Sequence, residues 1–310
     1  MKNEKIKLEV VPQMPLPARR LQNIVQRMLR VGPHAARKVI EAGDVFVNDR
    51  SRSRNDIVLE VGDHVVVVRP LPKPVEAERR SNEQTRIVYE DKHLLVVEKP
   101  AGLLTVPTPH DEKHTLLSEL RHHVTRVDRK GDAYCVHRLD RGVSGLLVFG
   151  KSLDVAERLR DQFAERKPLR SYAAIVAGRT PSESGTFRSY LATDKNLNRY
   201  VVKYASEGEL AITHYTVRQR WMSATLVEVR LETGRRNQIR VHFAEEECPV
   251  VGDRRYRPDL SVHPCWPFRR IALHAQELGF RHPISRKNLS FRSSWPEAFK
   301  HFMRRVTSDT

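Results

Sequence analysis

The sequence is poor in cysteine and contains no long apolar run. Its three cysteines, Cys135, Cys248 and Cys265, are widely spaced, and an odd, sparse set argues against a disulfide framework and suits a reducing compartment. No segment approaches the roughly 20 apolar residues that a membrane-spanning helix requires. The N-terminal segment Met1–Val11 lacks the apolar core of a secretory signal. We therefore expect a soluble cytoplasmic protein without a membrane partner, and we expect it to be a monomer.

Patterns that bind metal are scarce as well. Two short clusters combine cysteine with histidine, Cys135–His137 and His263–Cys265. Neither is accompanied by a second ligand pair at the spacing of a structural zinc site. We expect no metal.

Acidic residues are in the minority. The chain has 38 Asp and Glu against 55 Lys and Arg, which gives a formal net charge of +17. A basic excess of this size favours a polyanionic partner, because each phosphate contact releases counterions. Nucleic acid is the expected partner, and the alternative is a basic surface that binds nothing.

Composition shifts along the chain predict five segments. Residues 1–16 look like a loose leader, 17–69 like a small α+β domain, and 85–304 like a larger domain followed by a tail at 305–310. Residues 70–84 are rich in proline and charge and contain almost nothing apolar. A segment of this composition is typical of an extended linker between domains.

The small domain has two helical patterns followed by two strand patterns. Apolar residues recur at helical spacing in Leu21–Leu29, a second helix is expected from His34 to Ala42, and Gly43 is a plausible C-cap. The unit resembles the S-four-type RNA-binding domain in the segments "RRLQNIVQRML", "ARKVIEAGDVFVND" and "VGDHVVV". The resemblance implies that basic helix residues face structured RNA, and each of them taken alone also fits a solvated helix face. The candidates are Arg19, Arg20, Arg37 and Lys38.

In the larger domain, strand and helix patterns alternate without a strict βαβ rhythm. This irregularity predicts an α+β fold with a mixed, largely antiparallel sheet and flanking helices. The expected strands are Ile87–Tyr89, Leu94–Val97, Leu146–Phe149, Tyr172–Val176, Thr213–Arg218, Thr225–Leu231 and Gln238–His242, and the expected helices are Val155–Arg166 and Pro296–Val306.

Three stretches carry residues suited to chemistry. Residues 137–152, "HRLDRGVSGLLVFGKS", place one acid between two arginines before glycines and an apolar strand. Residues 166–178 put Tyr172 at the start of an apolar strand, and residues 232–256 join a glycine turn to a basic, amide-bearing segment. Any one of these stretches also fits an ordinary surface turn.

Together these stretches resemble the RluA-type pseudouridine synthase family. The family's motifs match, in order, "DKHLLVVEKPAGLLTVP" at 91–107, "HRLDRGVSGLLVFGKS", "TGRRNQIRVHFA" at 233–244 and "RIALHAQELGFRHP" at 270–283. The resemblance implies a pseudouridine synthase catalytic domain that isomerises uridine in folded RNA without a cofactor. With an S-four-like domain attached, it favours large-subunit ribosomal RNA as substrate, and transfer RNA is the alternative.

The resemblance also assigns site residues by motif position. Asp140 takes the place of the catalytic aspartate, Tyr172 that of the active-site tyrosine, and Arg240 that of the arginine that pairs with the aspartate. Isomerisation breaks the glycosidic bond, rotates the base and rejoins it, and a carboxylate can attack sugar or base or remove a ribose proton. A uridine in a stem must first be flipped out. Arg138 is expected to help fill the vacated space, and the supporting residues are His137, Arg141, Asn237 and Gln238.

The sequence departs from the family pattern at three positions. Asn237 stands where histidine is usual, and Gly142 and Val143 stand where aspartate and threonine are usual. Asparagine still donates and accepts hydrogen bonds, whereas valine removes a hydroxyl. We expect these changes to affect fine geometry or target choice.

Two other classes of protein would account for part of the sequence pattern. A non-catalytic RNA-binding or ribosome-assembly protein would account for the charge and the small domain, and it would not need the aspartate, tyrosine and arginine in their motifs. A glycosidase needs two carboxylates about 5 to 10 Å apart, and a single acid lies in a strong motif here.

Overall fold

The structure, a computed structural model, divides into two compact units, Met1–Ala77 and Glu78–Thr310. None of the described helices combines the length and apolar character needed to cross a bilayer. The residues that the structure describes are 3–29, 32–41, 43–48, 50–54, 56–70, 84–109, 112–165 and 168–306. Most of the predicted linker, residues 71–83, lies outside them.

The first unit packs two helices on an antiparallel sheet. Its described strands follow the order β1-β4-β2-β3. The elements are β1 (Asn3–Glu9), a 3-10 helix (Leu16–Arg19), α1 (Leu21–Leu29), α2 (Pro33–Glu41), β2 (Val45–Val47), β3 (Arg50–Ser51) and β4 (His64–Pro70). Gly43 ends α2 with a φ of +79°, a conformation that glycine adopts without strain. The buried core of this unit consists of Val10, Met14, Leu21, Ile24, Val25, Ala36, Ile40, Val45, Val47, Leu59, Val65 and Val67.

The expectation of a loose leader at 1–16 was wrong for the strand β1. This strand pairs antiparallel with β4, with Leu8 opposite Val65. The sequence from Lys5 to Val10 alternates polar and apolar residues, which is the period of a strand with one buried face. The charged residues within it had obscured that alternation.

The second unit is built on one large sheet. Its described strands number eleven, with the order β11-β10-β12-β13-β9-β14-β8-β6-β5, while β15 pairs with β14 and β7 with β8. The strands are β5 (Arg86–Glu90), β6 (Leu94–Lys99), β7 (Tyr134–Cys135), β8 (Ser144–Gly150), β9 (Leu169–Ala177), β10 (Ser184–Thr193), β11 (Arg199–Val202), β12 (Glu209–Arg220), β13 (Ala224–Leu231), β14 (Leu273–Arg281) and β15 (Asn288–Arg292). The helices are α3 (Leu116–Val127), α4 (Leu153–Ala164), α5 (Gln238–Glu245) and α6 (Glu297–Val306). Helix α6 therefore includes the first two residues of the predicted tail.

One described strand pairing in this sheet is parallel, that of β8 with β14, and the others are antiparallel. Strand β8 is buried along its whole length, because both faces of the sheet are covered there. Leu147 and Phe149 belong to one apolar cluster, and Leu146 and Val148 belong to the other. The predicted α+β fold with a mixed, largely antiparallel sheet is confirmed.

The prediction of a strand at Gln238–His242 was wrong, since these residues begin helix α5. The segment alternates polar and apolar residues, which is the pattern of a strand. In the folded protein every residue from Gln238 to Ala244 is buried. A helix that is covered on all sides shows no amphipathic period of 3.6 residues, so its sequence does not reveal it.

Candidate active site

Asp140 lies in the loop between β7 and β8, and this loop is held from both sides. The Thr105 hydroxyl donates to the Leu139 carbonyl at 2.8 Å and accepts from the Leu139 amide at 3.2 Å. The Val143 amide donates to the Asp140 carbonyl at 3.0 Å. The Asp140 side chain is 24% exposed, so the fold fixes the carboxylate while leaving it open to a ligand.

A buried lysine joins this loop to the preceding turn. The Nζ of Lys99 donates to the carbonyls of Pro100 at 2.9 Å, Leu103 at 2.8 Å and Arg141 at 3.5 Å. Lys99 has no exposed surface, and burial lowers its pKa to about 7. No role was predicted for Lys99, because a single lysine at the end of a strand gives no sign in the sequence that it will be buried.

Arg240 connects Asp140 to a second carboxylate. Its Nη1 donates to Asp140 Oδ2 at 2.7 Å, and its Nε and Nη2 donate to the two oxygens of Asp253 at 2.6 and 2.9 Å. The Asp253 side chain is fully buried and that of Arg240 is 8% exposed. Burial opposes the charge of Arg240, but the hydrogen bond to Asp253 and the charge of Asp140 together raise its pKa.

Asp253 is a functional residue that sequence reasoning missed. It lies in the turn after Val250 and Val251, where an acid is ordinarily a solvated turn residue. Its bidentate contact is the strongest geometry available to an arginine–carboxylate pair. Asp253 offsets the charge of Arg240 at Nε and Nη2, whereas Asp140 contacts Nη1. The guanidinium is therefore held in place independently of Asp140.

Asn237 and Gln238, two of the predicted supporting residues, lie at the start of α5. The Gln238 side-chain oxygen accepts from the Thr233 hydroxyl at 2.8 Å and from the Arg235 amide at 2.9 Å. Its amide nitrogen donates to the Ile212 carbonyl and the Thr213 hydroxyl, both at 2.9 Å. Gln238 therefore fastens the helix that carries Arg240 to strand β12.

Tyr172 occupies the centre of the sheet on β9, between Val229 of β13 and Ala275 of β14. It is 8% exposed. Burial raises the pKa of the Tyr172 hydroxyl, the nearby Arg170 opposes this, and the charge of Asp140 raises it further. The hydroxyl is therefore protonated at neutral pH and lies within electrostatic range of Asp140.

His137 has a structural contact of its own. Its ring stacks on Phe163 with centroids 4.5 Å apart, and its Nε2 accepts from the Val148 amide at 3.3 Å. Burial, with a smaller effect of the Arg170 charge, lowers the pKa of His137 to about 3. The neutral imidazole therefore orients the segment that leads into Asp140.

The two arginines that flank Asp140 are exposed. The Arg141 Nε donates to the Gly102 carbonyl at 2.9 Å, which ties the loop to the preceding turn. Beside it, a Cβ added at Gly142 would lie 3.0 Å from Ile271 Cγ1, and Val143 is buried. The space next to Gly142 is thus occupied by an apolar side chain, so both departures from the family pattern fit a locally apolar packing.

A row of buried, hydrogen-bonded side chains crosses the junction of β8 and β14. The Ser144 hydroxyl is hydrogen-bonded to His274 Nδ1 at 2.8 Å and accepts from Arg270 Nη2 at 2.5 Å. The other ring nitrogen of His274 is hydrogen-bonded to Ser293 at 3.0 Å. Burial lowers the pKa of His274 to about 4, so this histidine is neutral in the folded protein.

The predicted RNA-binding residues of the first unit differ in their surroundings. Arg19 donates to the carbonyls of Met14 at 2.7 Å and Pro12 at 3.2 Å, so it fastens the chain before α1. Arg37 pairs with Glu41 at 2.7 Å on an exposed helix face. Arg20 and Lys38 are exposed.

The structure therefore brings Asp140, Arg240 and Tyr172 into one site, together with Asp253 and Lys99. The arrangement can orient an ionised carboxylate toward a ligand while keeping a neutral hydroxyl nearby. Within the described part of the chain, no three side chains of His, Cys, Asp or Glu come together as a metal site.

Comparison with known proteins assigns this fold and site to a class. Residues 93–245, which include Asp140, Tyr172 and Arg240, match the family model described as RNA pseudouridylate synthase. An RNA pseudouridine synthase of Bacillus subtilis is 34% identical over 264 residues, covering 83% of this chain and 84% of the relative. A ribosomal large subunit pseudouridine synthase D of Zymomonas mobilis is 38% identical over 241 residues, covering 74% of each chain.

A solved structure, human RNA pseudouridylate synthase domain containing 4, shares the fold with a TM-score of 0.61 at 23% identity, covering 75% of this chain and 96% of that one. The family model and the two relatives show that the chain is an isomerase that forms pseudouridine in RNA. The chain belongs to the RluA-type RNA pseudouridine synthase family.

Proposed function

We propose that this enzyme isomerises uridine in large-subunit ribosomal RNA and that Asp140 is the carboxylate that carries the reaction. The observation that carries the proposal is the ion-pair chain from Asp140 through Arg240 to the buried Asp253. Asp140 and Arg240 lie at motif positions of an enzyme family. The choice of RNA is supported by relatives from Zymomonas mobilis and Neisseria meningitidis, the latter 34% identical over 282 residues, that are named ribosomal large subunit pseudouridine synthase D.

The proposed chemistry uses the two oxygens of Asp140 differently. Oδ2 accepts from Arg240 at 2.7 Å, while Oδ1 accepts no hydrogen bond from the described residues. Three alternative routes break the bond between uracil N1 and the sugar. The free oxygen attacks the sugar and displaces uracil through N1, or it adds to the base before the N1 bond breaks, or the carboxylate removes a ribose proton as the N1 bond is lost. The base then rotates and C5 bonds to the sugar, while the bond to the carboxylate breaks or the proton returns to the ribose, and the C5 proton leaves.

Tyr172 and Arg138 have distinct proposed roles. The ring of Tyr172 is proposed to stack on the flipped base, and its protonated hydroxyl is proposed to help move the C5 proton. Arg138 is exposed two residues before Asp140. Its proposed role is to fill the space that the uridine leaves in a stem, and flipping costs a few kcal/mol.

The first unit is proposed to be an S-four-type domain that delivers the RNA, with Arg20, Arg37 and Lys38 among its exposed basic residues. We also propose that the enzyme acts as a monomer in the cytoplasm. Three free cysteines support that location.

Pseudouridine mapping in ribosomal and transfer RNA, with and without the gene, tests the proposal. We expect specific large-subunit sites to lose pseudouridine and to regain it with the wild-type gene. Asp140→Asn should not restore them although the variant still binds RNA, whereas Asp154→Asn, a change of an exposed helix residue, should. Loss confined to transfer RNA would transfer the assignment to that substrate, and restoration by Asp140→Asn would contradict the catalytic role.

A further inference from the structure

Tyr256 contacts three parts of the site, and the family motifs in the sequence gave it no role. Its hydroxyl accepts from the backbone amide of Arg199, at the start of β11, at 3.0 Å. The same hydroxyl accepts from Asn237 Nδ2 at 2.9 Å. Its ring lies 5.0 Å from the guanidinium carbon of Arg240. Tyr256 therefore links a strand end, a helix start and the arginine that holds Asp140.

Asn237 is the intermediate in this link. It has a φ of +57° at the start of α5, a left-handed conformation in which asparagine and histidine are both enriched. Its side-chain oxygen accepts from Arg240 Nη1 at 3.2 Å, while its nitrogen donates to Tyr256. The bridge thus uses the donor and the acceptor of one amide at once, a combination that asparagine and glutamine side chains provide.

The donor count of Arg240 shows what this bridge adds. A guanidinium has five N–H donors. Asp253 accepts from Nε and Nη2, and Asp140 and Asn237 both accept from Nη1. Asn237 therefore shares with Asp140 the nitrogen that makes the contact with the proposed catalytic carboxylate.

The contact between Asp253 and Arg240 leaves the guanidinium in need of a further restraint. Asp253 grips the Nε–Nη2 edge of the guanidinium, and a group held along one edge can still tilt about it. The Tyr256 ring restrains the plane of the cation from one face, and Asn237 restrains the Nη1 corner. Asn237 therefore acts directly on the corner that contacts Asp140, and Tyr256 acts on the plane that contains it.

We propose that Asn237 and Tyr256 are positioning residues that fix the Nη1 corner of Arg240 against Asp140, with Tyr256 anchoring the pair to β11. This inference rests on the proposed function, because it takes Asp140 as the catalytic carboxylate. It also gives a role to Asn237, the residue that replaces the family's usual histidine.

The experiment compares Asn237→Ala, Tyr256→Phe and the double variant with the wild type. Tyr200→Phe, on the same strand β11 but 45% exposed, is the matched control. The probe is total RNA labelled with 5-tritiated uridine from a strain that lacks the gene, because it contains the substrate whichever RNA that is. Tritium release under single-turnover conditions gives the rate, and its dependence on enzyme concentration gives the apparent affinity.

Each single variant should lower the rate about 10- to 100-fold, the effect expected when a reacting group is misplaced by a fraction of an ångström to 1 Å. Apparent RNA affinity should stay within about twofold. The double variant should be no slower than the slower single variant, because both residues act through one bridge. Tyr200→Phe should match the wild type. Thermal melting checks folding, and Tyr256→Phe, which removes a single hydroxyl, carries the test if Asn237→Ala does not fold.

Four results would overturn the inference. If the variants are as fast as an active wild type, the inference fails while the proposed function stands. The same holds if the rate losses multiply in the double variant. A loss of affinity that accounts for the whole effect would assign the pair to RNA binding instead. A wild type that releases no tritium from this RNA would overturn the proposed function and the inference together, so the two failures are distinguishable.

Discussion

Replacing Asp253 by asparagine should cost both stability and rate. Its carboxylate accepts two hydrogen bonds from Arg240 and has no exposed surface. Removing one charge of a buried pair typically destabilises by about 3–5 kcal/mol. Asparagine keeps one acceptor, and Asp140 still offsets part of the arginine charge, so we expect about 2–3 kcal/mol in the free energy of unfolding. The rate should fall about 100-fold, because Arg240 loses the contact that aligns it with Asp140.

The matched control is Asp259→Asn in the same loop. Asp259 pairs with Arg257 at 3.3 Å, and its side chain is 48% exposed, so the change should cost less than about 1 kcal/mol. Urea unfolding followed by circular dichroism gives the stability difference, and single-turnover pseudouridine formation gives the rate. If Asp253→Asn and Asp259→Asn unfold at the same urea concentration, the buried ion pair between Asp253 and Arg240 does not contribute the stability that its geometry implies.

Three further predictions follow from other parts of the second unit. His242 and His274 have folded pKa values of about 4, against 6.5 for the free side chain. Because the unfolded chain binds protons that the folded chain does not, the free energy of unfolding should fall as pH drops below 6.5, by about 1.4 kcal/mol per histidine at pH 5.5. Urea midpoints that stay level from pH 8 to 5.5 would contradict this. Gly145→Ala should destabilise the protein by more than about 2 kcal/mol in thermal or urea unfolding, because its Cβ would lie 2.2 Å from the Ala275 carbonyl oxygen. The control Gly178→Ala, at a position with a positive φ but open space, should cost about 1 kcal/mol in the same measurement. Arg138→Ala should lose more activity on folded RNA than on an unstructured oligomer; equal losses would remove its proposed role in flipping.

Much of the second unit was predictable from sequence, because its strands follow local patterns. Strand β8 has a continuous apolar run, and the helices α4 and α6 have the amphipathic period that surface helices show. The contact between Asp140 and Arg240 joins residues 100 positions apart. Its prediction came from motif resemblance, since no local pattern reveals such a pair.

The parts that sequence reasoning missed are those whose meaning depends on burial. In the sequence Lys99 looks like an ordinary charged residue at a strand end and Asp253 like one in a turn, yet both are buried in the folded protein. Helix α5 looks like a strand because both of its faces are covered. In each case the deciding neighbours come from distant segments, so a single local window does not contain the information.

The parallel pairing of β8 with β14 has a consequence for how the enzyme is made. The pairing joins Ser144 and Gly145 to His274 and Ala275. The Asp140 loop runs directly into β8, whereas β14 is synthesised only after the strands β9 to β13. Contacts of such long sequence separation form late in folding, because the entropy of closing the intervening loop is lost before they are made. The Asp140 loop therefore gains its support from β14 late in folding, and a nascent chain that ends before β14 cannot form the complete site.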